Sequence, residues 1–332
     1  MTLRLLAVHA HPDDESSKGS GTLAYYRSRG AAVMVVSCTG GEEGRVLNEQ
    51  LAPDAVAMAE RDLPGLRRIE MRRAAEVMGI EHRWLGYANS GWPEDGEPTP
   101  ANSFASVPLE ISAEPLVRVI REFRPQVMVT YDENGGYPHP DHLRTHELSI
   151  FARDAAADPN RYPDAGPAWR IQKTYYDRII NGPRVNAIYE ALAAREEHSE
   201  LAAQMLEMRR WFDRPDLATT HVPVGDFFEV RDRALRSHTS QVAPDSWFFL
   251  WPNDVQREIW PYEDYQLVDS VVASQLPESD LFAGISDDDP GASIPPPTKP
   301  KTTASSKTPS PKTPNPKTPN PKTPNPKTEE AA

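Results

Sequence analysis

Two short polar clusters contain the residue types that most often bind metal ions and transfer protons. The first, residues 11–15, reads His-Pro-Asp-Asp-Glu and directly follows the apolar run 3–8. The second, residues 137–142, reads Tyr-Pro-His-Pro-Asp-His and follows another apolar run, 127–131. Imidazoles and carboxylates are common ligands of a catalytic metal ion, which keeps one position open to water. The clusters therefore predict one metal site, provided that the fold brings them together.

The spacing within the clusters suggests how their roles divide. His11 and Asp14 lie three residues apart, and with His142 they supply three ligands for one cation. Asp13 is then left beside the metal without a coordination role. A free carboxylate there could take a proton from the attacking water as a general base. Taken singly, each cluster also fits an ordinary acidic helix N-terminus, so the metal hypothesis depends on the pair.

The second cluster also contains donors for a developing negative charge. Tyr137 and His139 could donate hydrogen bonds to the oxyanion that forms when water attacks a carbonyl group. Asp141 could orient either His139 or one of the metal ligands, as carboxylates behind a ligand commonly do. Glu15 receives no chemical role from this reasoning and is expected only to support its loop.

The apolar pattern predicts that both clusters lie at the same edge of a sheet. Residues 3–8 and 32–38 are continuous apolar runs, typical of strands that are covered on both faces. A helix capped by Ser16 or Ser17 and stopped by Gly30 is expected between them. Such a βαβ unit makes the two strands parallel. Because ligands bind outside the carboxyl ends of strands in open α/β sheets, this edge is the expected site.

The rest of the chain predicts further elements of an α/β fold. The expected helices and strands are helices over 58–79, 112–123 with Ser112 as N-cap, 142–156, 185–211 and 227–242, and strands over 84–87, 126–131 and 173–176. The glycine-rich loop 39–44 either allows a close backbone approach or makes a plain tight turn. The long loop 89–106 is expected to form a lid or a wall of the site. The aromatic cluster 247–251 is expected in the core rather than in a pocket wall.

Charge and length limit the possible partners. The 332 residues carry a formal charge of -13, and residues 286–332 contain seven Lys against three Asp and two Glu. The tail is thus +2 and the preceding body -15, which argues against nucleic acid or an anionic membrane as the main partner. No apolar segment approaches the roughly 18 residues of a membrane span, and no signal peptide is recognisable. A soluble, cytoplasmic protein with a small-molecule substrate is expected.

The single cysteine and the C-terminal composition define the domain organisation. Cys38 excludes an intrachain disulfide and a Cys-rich zinc module, and its apolar surroundings predict a buried thiol. The pentapeptide Lys-Thr-Pro-Asn-Pro recurs from Lys312 to Pro326. A segment with almost no apolar side chains cannot bury a core. We therefore predict one domain over 1–285 and a disordered Pro/Lys/Thr-rich tail over 286–332.

The two clusters and their neighbours resemble the motifs of one known family. Ala-His-Pro-Asp-Asp-Glu at 10–15, followed by Gly-Gly-Tyr-Pro-His-Pro-Asp-His at 135–142, is similar to the LmbE-like zinc deacetylases. That family includes the N-acetylglucosaminyl-phosphatidylinositol deacetylases and the mycothiol enzymes. The resemblance covers about residues 3–285 and implies a Rossmann-like fold with a mostly parallel sheet and flanking helices.

The resemblance also implies roles for the cluster residues. One zinc ion per chain would be bound by His11, Asp14 and His142. Asp13 would be the base, and His139 and Tyr137 would assist at the oxyanion or the leaving group. These implied roles agree with those suggested by the chemistry of the residues.

Within the family the chain is most similar to the branch that cleaves mycothiol S-conjugates. This similarity rests on four segments, at 16–19, 38–42, 130–136 and 278–285. It implies hydrolysis of the amide between glucosaminyl-inositol and an S-substituted N-acetylcysteine, with release of a mercapturic acid. Deacetylation of N-acetylglucosaminyl-inositol is the alternative reaction, and a non-catalytic sugar- or thiol-binding module is the alternative class.

Two further residues are implicated in substrate binding by the resemblance. Lys18 stands where the sister deacetylases tend to have a small polar residue, so it could recognise the larger acyl part or a product carboxylate. Arg67 falls where the family has a sugar-contacting arginine, with neighbouring Arg68 as the alternative if the alignment slips by one residue. From the residues alone, a solvated helical lysine and a solvated ion pair between Arg67 and Glu70 are the other interpretations.

Overall fold

A seven-stranded sheet forms the centre of the computed structural model, which describes residues 2–94, 97–209 and 215–286. The strands are β1 (Arg4–His9), β2 (Ala32–Thr39), β3 (Glu81–Tyr87), β4 (Val127–Thr130), β5 (Lys173–Asp177), β6 (Thr220–Pro223) and β7 (Tyr262–Ser270). Their order across the sheet is β3-β2-β1-β4-β5-β7-β6. The first five are parallel, whereas β7 is antiparallel to both β5 and β6. The predicted α/β class with a mostly parallel sheet is confirmed.

Helices cover both faces of this sheet. They are α1 (Asp14–Ser17), α2 (Ser20–Ser28), α3 (Pro53–Met78), α4 (Leu109–Ser112), α5 (Glu114–Phe123), α6 (Pro140–Ala157), α7 (Gly182–Ala193), α8 (Ser199–Arg209), α9 (Phe228–Ser237) and α10 (Asn253–Ile259). Leu5 and Ala7 of β1 belong to the core cluster shared with α2, α3 and α9. Leu6 and Val8 belong to the cluster on the other face, shared with α5 and α6. Burial on both faces explains why β1 reads as a continuous apolar run.

Two predicted helices near the site differ from the observed ones. The helix expected from Ser16 or Ser17 to Arg29 is interrupted between α1 and α2, because Gly19 adopts a φ of 126° that a continuous helix does not allow. Helix α3 begins before the predicted residue 58 and bends at Asp62, just before Pro64, which lacks the N–H for a helical hydrogen bond. Gly79, with a φ of 71°, ends α3 as predicted.

Several other predicted boundaries were also wrong. Ser112 is the last residue of α4 and not the N-cap of α5, which is Ala113. The helix predicted over 185–211 is divided into α7 and α8, and the one predicted over 227–242 ends at Ser237. Strands β6 and β7 were not predicted. Trp247, at the start of the aromatic cluster, has 41% of its surface exposed, so this cluster is not the core segment that we expected.

The remaining sequence predictions concern single features. Cys38 is fully buried, and burial raises the pKa of its thiol, as expected for a structural cysteine. Among the helices of the described residues, none is long and apolar enough to cross a membrane. The tail predicted over 286–332 lies outside the described residues, except for Ser286.

Candidate active site

The two polar clusters lie at neighbouring positions on one edge of the sheet. β1 and β4 are paired directly and in parallel, with Leu5 opposite Val127 and Ala7 opposite Val129. The loop after β1 therefore begins beside the loop after β4, which leads into α6. This arrangement brings together the predicted ligands and the predicted proton-transfer groups, although up to 131 positions separate them in the chain.

Three side chains bring potential metal-binding atoms close together. His11, Asp14 and His142 are buried, and each offers a ligand atom within 4.8 Å of the other two. The same proximity holds for His11, His139 and Asp141, but there His11 and Asp141 already form a hydrogen bond. The first group is therefore the better candidate for a metal site.

The hydrogen bonds of His142 determine which of its ring nitrogens is free. Nδ1 lies 2.8 Å from the carbonyl oxygen of Gly135, and a carbonyl only accepts, so the proton is on Nδ1. Nε2 lies 3.3 Å from Asp14 Oδ2 and has no hydrogen-bond partner among the described residues. A buried ring nitrogen that faces a carboxylate oxygen, with no donor between them, provides two ligands that one cation can bind. The donor set therefore fits a metal ion.

Gly135 allows the close approach on which this tautomer depends. Its φ is 68°, and a Cβ added there would lie 2.6 Å from the Cβ of His142. The ring of His142 also stacks on buried Tyr131, with 4.5 Å between ring centroids and 6° between planes. Burial lowers the pKa of His142, which favours the neutral imidazole that a metal ligand requires.

Asp141 orients the other imidazole. His11 Nε2 donates to Asp141 Oδ2 at 3.1 Å, which leaves Nδ1 free at 3.6 Å from Asp14 Oδ2. The same Oδ2 accepts hydrogen bonds from the side chain of Asn89 at 2.8 Å and from the backbone of Ser90 at 3.0 Å. Asp141 thus orients His11, a candidate ligand. The sequence had left open whether Asp141 orients His139 or a metal ligand.

Lys18 is partly buried at the edge of the site and is not a solvated helical lysine. Its ammonium forms an ion pair with Asp14 Oδ1 and lies 5.7 Å from the ring centroids of both Tyr131 and Tyr137. Burial disfavours the charge on Asp14, but Lys18 and His142 together hold the pKa of that carboxyl well below its ordinary value. Conversely, Asp14 raises the pKa of Lys18 against the effect of burial.

Asp13 occupies a strained position beside the candidate ligands. Its φ of 110° with a ψ of -26° costs on the order of 1–3 kcal/mol for a residue other than glycine. Its carboxylate lies 3.3 Å from the guanidinium of Arg67. Burial raises the pKa of Asp13, while Arg67 opposes that rise.

Arg67, and not Arg68, faces the site. The guanidinium of Arg67 is buried and donates to the carbonyl oxygens of Pro12 at 2.7 Å and Gly41 at 3.3 Å. Arg68 instead lies 6.0 Å from the ring centroid of Trp84. The glycine-rich loop 39–44 was predicted either to allow a close backbone approach or to make a plain turn. Here it allows the side chain of Arg67 to approach its backbone.

The two predicted hydrogen-bond donors lie beside the candidate ligands, with 4.2 Å between the ring centroids of Tyr137 and His142 and 4.7 Å between those of His139 and His11. Although 40% of the Tyr137 surface is exposed, partial burial, with the nearby charge of Asp14, raises the pKa of its phenol and keeps it protonated. His139 Nδ1 accepts a hydrogen bond from the backbone N–H of Asp141 at 3.0 Å, so the neutral ring carries its proton on Nε2. Burial lowers the pKa of His139 to about 3. Both side chains are thus neutral donors in this structure.

Three residues at the site received no individual role from the sequence. Trp92 is 53% exposed and lies nearly parallel to Tyr137, with 6.2 Å between centroids and 12° between planes. It belongs to the loop 89–106, which was predicted to be a wall or lid, and so does Asn89. His238 is fully buried and contacts Glu15 at 2.8 Å from 223 residues away, a pairing that no sequence spacing indicates.

Comparisons with known proteins identify the relatives of this chain. The family model described as "GlcNAc-PI de-N-acetylase" matches residues 6–152. A mycothiol S-conjugate amidase from Streptomyces coelicolor is 48% identical over 86% of this chain and 98% of its own. A 1D-myo-inositol 2-acetamido-2-deoxy-alpha-D-glucopyranoside deacetylase from Geodermatophilus obscurus is 40% identical over 85% of this chain and 98% of its own.

A solved structure supports the fold alone. The N,N'-diacetylchitobiose deacetylase from Pyrococcus horikoshii superposes with a TM-score of 0.53 at 19% identity, over 80% of this chain and 83% of that one. The amidase and deacetylase relatives align over most of their own length and of this chain. The chain therefore belongs to the PIG-L family of GlcNAc-PI de-N-acetylases, the LmbE-like family that its two polar clusters resemble.

Proposed function

We propose that this chain is a zinc-dependent amidase that hydrolyses mycothiol S-conjugates to a mercapturic acid and glucosaminyl-inositol. The observation that carries the proposal is the 48% identity to a mycothiol S-conjugate amidase across 98% of that protein. The relatives that are deacetylases of the N-acetylated inositol glycoside are 36–40% identical. Release of a mercapturic acid would place the enzyme in the detoxification of thiol-reactive compounds.

The proposed metal ligands are His11 Nδ1, Asp14 Oδ2 and His142 Nε2. Two imidazoles and one carboxylate, with a fourth position open, are typical of catalytic zinc. When bound, zinc would lower the pKa of water and polarise the amide carbonyl as a Lewis acid. Asp141 and the Gly135 carbonyl would keep the two imidazoles in the tautomers that binding requires.

The proposed general base is Asp13. Its carboxylate takes a proton from the water that attacks the amide carbon, and burial raises its pKa toward the range of an effective base. The C–N bond then breaks, and the departing amine of the sugar receives a proton from Asp13. The ion pair with Arg67 holds the carboxylate beside the ligands throughout.

The proposed oxyanion donors are the Tyr137 hydroxyl and His139 Nε2–H. Both are uncharged donors at the rim of the ligand group, the position at which negative charge develops on the carbonyl oxygen. The backbone N–H of Asp141 holds the His139 ring with Nε2 free to donate. Because the pKa of His139 is low, this imidazole acts as a donor and Asp13 carries the transferred proton.

Substrate recognition is proposed for Lys18 and Arg67. The Lys18 ammonium would contact the cysteinyl acyl part of the conjugate, since it lies between the ligand Asp14 and the aromatic rim. Arg67 would contact the sugar from the side of the glycine-rich loop 39–44. We also propose that residues 1–285 form the catalytic domain and that the tail takes no part in catalysis, so truncation after Ile285 should leave kcat/KM unchanged.

The test is a comparison of two substrates with one zinc-loaded preparation. Hydrolysis of a mycothiol S-conjugate should exceed deacetylation of N-acetylglucosaminyl-inositol, should cease on chelation and should return with added zinc. The opposite ratio would identify the deacetylase reaction, which the 36–40% identical relatives make the second candidate. If metal-loaded protein hydrolysed neither amide, the enzymatic proposal would be wrong and the non-catalytic binding module would be favoured.

A further inference from the structure

The backbone of Asp13 is held in its unusual conformation from both sides. Its carbonyl oxygen accepts hydrogen bonds from the backbone N–H groups of Ser16 at 3.0 Å and Ser17 at 3.1 Å, both residues of α1. Its own N–H donates to Glu15 Oε2 at 2.9 Å. Glycine would adopt a φ of 110° without strain, so an aspartate at this position indicates that the side chain is needed there.

Glu15 is in turn fixed by a residue from the far end of the domain. Its other oxygen, Oε1, accepts from the Ser16 hydroxyl at 2.5 Å and from His238 Nε2 at 2.8 Å. Glu15 and His238 have no exposed surface. A carboxylate that is fully buried needs such donors to remain ionised, and His238 is the donor that the local loop cannot supply.

The segment that carries His238 is itself anchored to helix α3. Glu70 of α3 accepts three hydrogen bonds from the next two residues, from the Thr239 hydroxyl at 2.6 Å, the Ser240 backbone at 2.7 Å and the Ser240 hydroxyl at 2.6 Å. One turn earlier, α3 presents Arg67 to the Asp13 carboxylate. Helix α3 thus contacts Asp13 in two ways, directly through Arg67 and indirectly through Glu70, His238 and Glu15.

We propose that the buried Glu15–His238 pair is a positioning device that holds Asp13 in its left-handed conformation. Neither side chain supplies a candidate ligand, and neither lies in the proposed proton path. Their effect acts through the Asp13 N–H, which keeps the backbone at a φ that directs the carboxylate toward Arg67. The expected consequence for turnover rests on the proposed function of Asp13, whereas the expected backbone geometry does not.

The first test compares two substitutions of His238 in the full chain. His238→Leu removes the donor to Glu15, whereas the side-chain amide of His238→Gln can still donate. We expect His238→Leu to lower kcat about 30-fold, since misplacement by an ångström costs on the order of 100-fold. KM and zinc content should stay within about twofold, and His238→Gln should recover most of kcat.

The matched control is His221→Leu. His221 Nδ1 bonds Asp264 Oδ1 at 2.7 Å, an imidazole–carboxylate pair between β6 and β7 that contacts no residue of the 11–15 cluster. This substitution should lower Tm while leaving kcat within about twofold. If His238→Leu and His238→Gln lost kcat equally, or if His221→Leu lost as much kcat as His238→Leu for a similar fall in Tm, the pair would be merely structural and the proposal would be wrong.

The second test does not depend on activity. A crystal structure of Glu15→Ala should show Asp13 with a negative φ, because the N–H has lost its buried acceptor, while Glu15→Gln should keep the φ near 110° through its side-chain oxygen. A left-handed Asp13 in Glu15→Ala would contradict the proposal whatever the enzyme hydrolyses. A wild-type protein without amidase activity would instead contradict the proposed function. The φ of Asp13 in the two Glu15 variants would still test the positioning role.

Discussion

The floor of the site and its mouth are built differently. The floor consists of His11, Asp14, Asp141 and His142, whose exposed fractions are all below 9%, and each of its imidazoles has one ring nitrogen held by a carbonyl or carboxylate oxygen. The mouth consists of Lys18, Trp92 and Tyr137. Tyr137 and Trp92 are 40% and 53% exposed and are held mainly by stacking.

This difference separates chemistry from substrate choice. Groups that must bind a metal need fixed tautomers and exclusion of competing water, which only a buried hydrogen-bonded shell provides. Groups that contact the variable part of a substrate can be supplied by an exposed loop, and a loop can change without disturbing the shell. Substitutions in the floor should therefore weaken zinc binding and with it the hydrolysis of every substrate, whereas substitutions of Lys18 and Trp92 in the mouth should change the preference among substrates.

The largest effect is expected from His142→Ala. This substitution removes one of three proposed zinc ligands, so zinc affinity should fall by much more than the roughly 100-fold that loss of a residue behind a ligand costs. Elemental analysis after dialysis should show less than stoichiometric zinc, and turnover should be lost. Full zinc occupancy in this variant would remove His142 from the ligand set.

Asp13→Ala should give a comparable loss of turnover with the metal retained. The carboxylate is proposed as base but not as ligand, so zinc content should equal that of the wild type while kcat falls by about 10³-fold. Steady-state kinetics and metal analysis on the same preparation separate it from His142→Ala. A rate near that of the wild type would exclude Asp13 as the base.

Asp141→Ala should have an intermediate effect within the floor. Loss of the acceptor for His11 Nε2–H frees the ring to rotate and to change tautomer, so zinc affinity should fall about 10- to 100-fold. Added zinc should then restore much of the activity. A zinc titration that coincided with that of the wild type would show that Asp141 is not needed to orient His11.

Lys18→Met tests whether the mouth selects the substrate. Loss of a charged hydrogen-bond donor should lower kcat/KM for the S-conjugate about tenfold and affect the N-acetylated precursor much less. The ratio of the two rates is the measurement, and zinc content is the control because Lys18 also pairs with Asp14. An equal loss of kcat/KM on both substrates would show that Lys18 supports the reaction itself and does not select the substrate.

The smallest effect is expected from Trp92→Ala. The exposed stacked pair of Trp92 and Tyr137 offers apolar surface to the S-substituent, and one aromatic contact is worth about a fivefold change in KM. KM should rise for an S-benzyl conjugate and stay the same for an S-methyl conjugate, with kcat unchanged for both. If KM rose equally for the two conjugates, Trp92 would contact their common part instead.

Much of the parallel half of the sheet could be predicted from local patterns. β1 and β2 are covered on both faces, so their sequences are apolar throughout and are easily recognised. β7 is partly exposed along most of its length and reads Tyr-Glu-Asp-Tyr-Gln-Leu-Val-Asp-Ser, a polar sequence that does not resemble a buried strand. It forms a strand because β5 and β6 supply its hydrogen bonds, which is a tertiary effect.

The candidate site likewise combines features that local sequence patterns reveal with features that only the tertiary structure decides. Sequence was sufficient to identify the two clusters and to suggest separate roles for Asp13 and Asp14, because both clusters follow predicted strands, and ligands bind at the carboxyl ends of strands in open α/β sheets. Only the folded chain decided which nitrogen of each histidine is free, that Arg67 rather than Arg68 faces inward, and that His238 reaches Glu15. These outcomes depend on distances between segments up to 223 residues apart, and local residue preferences carry no information about such distances.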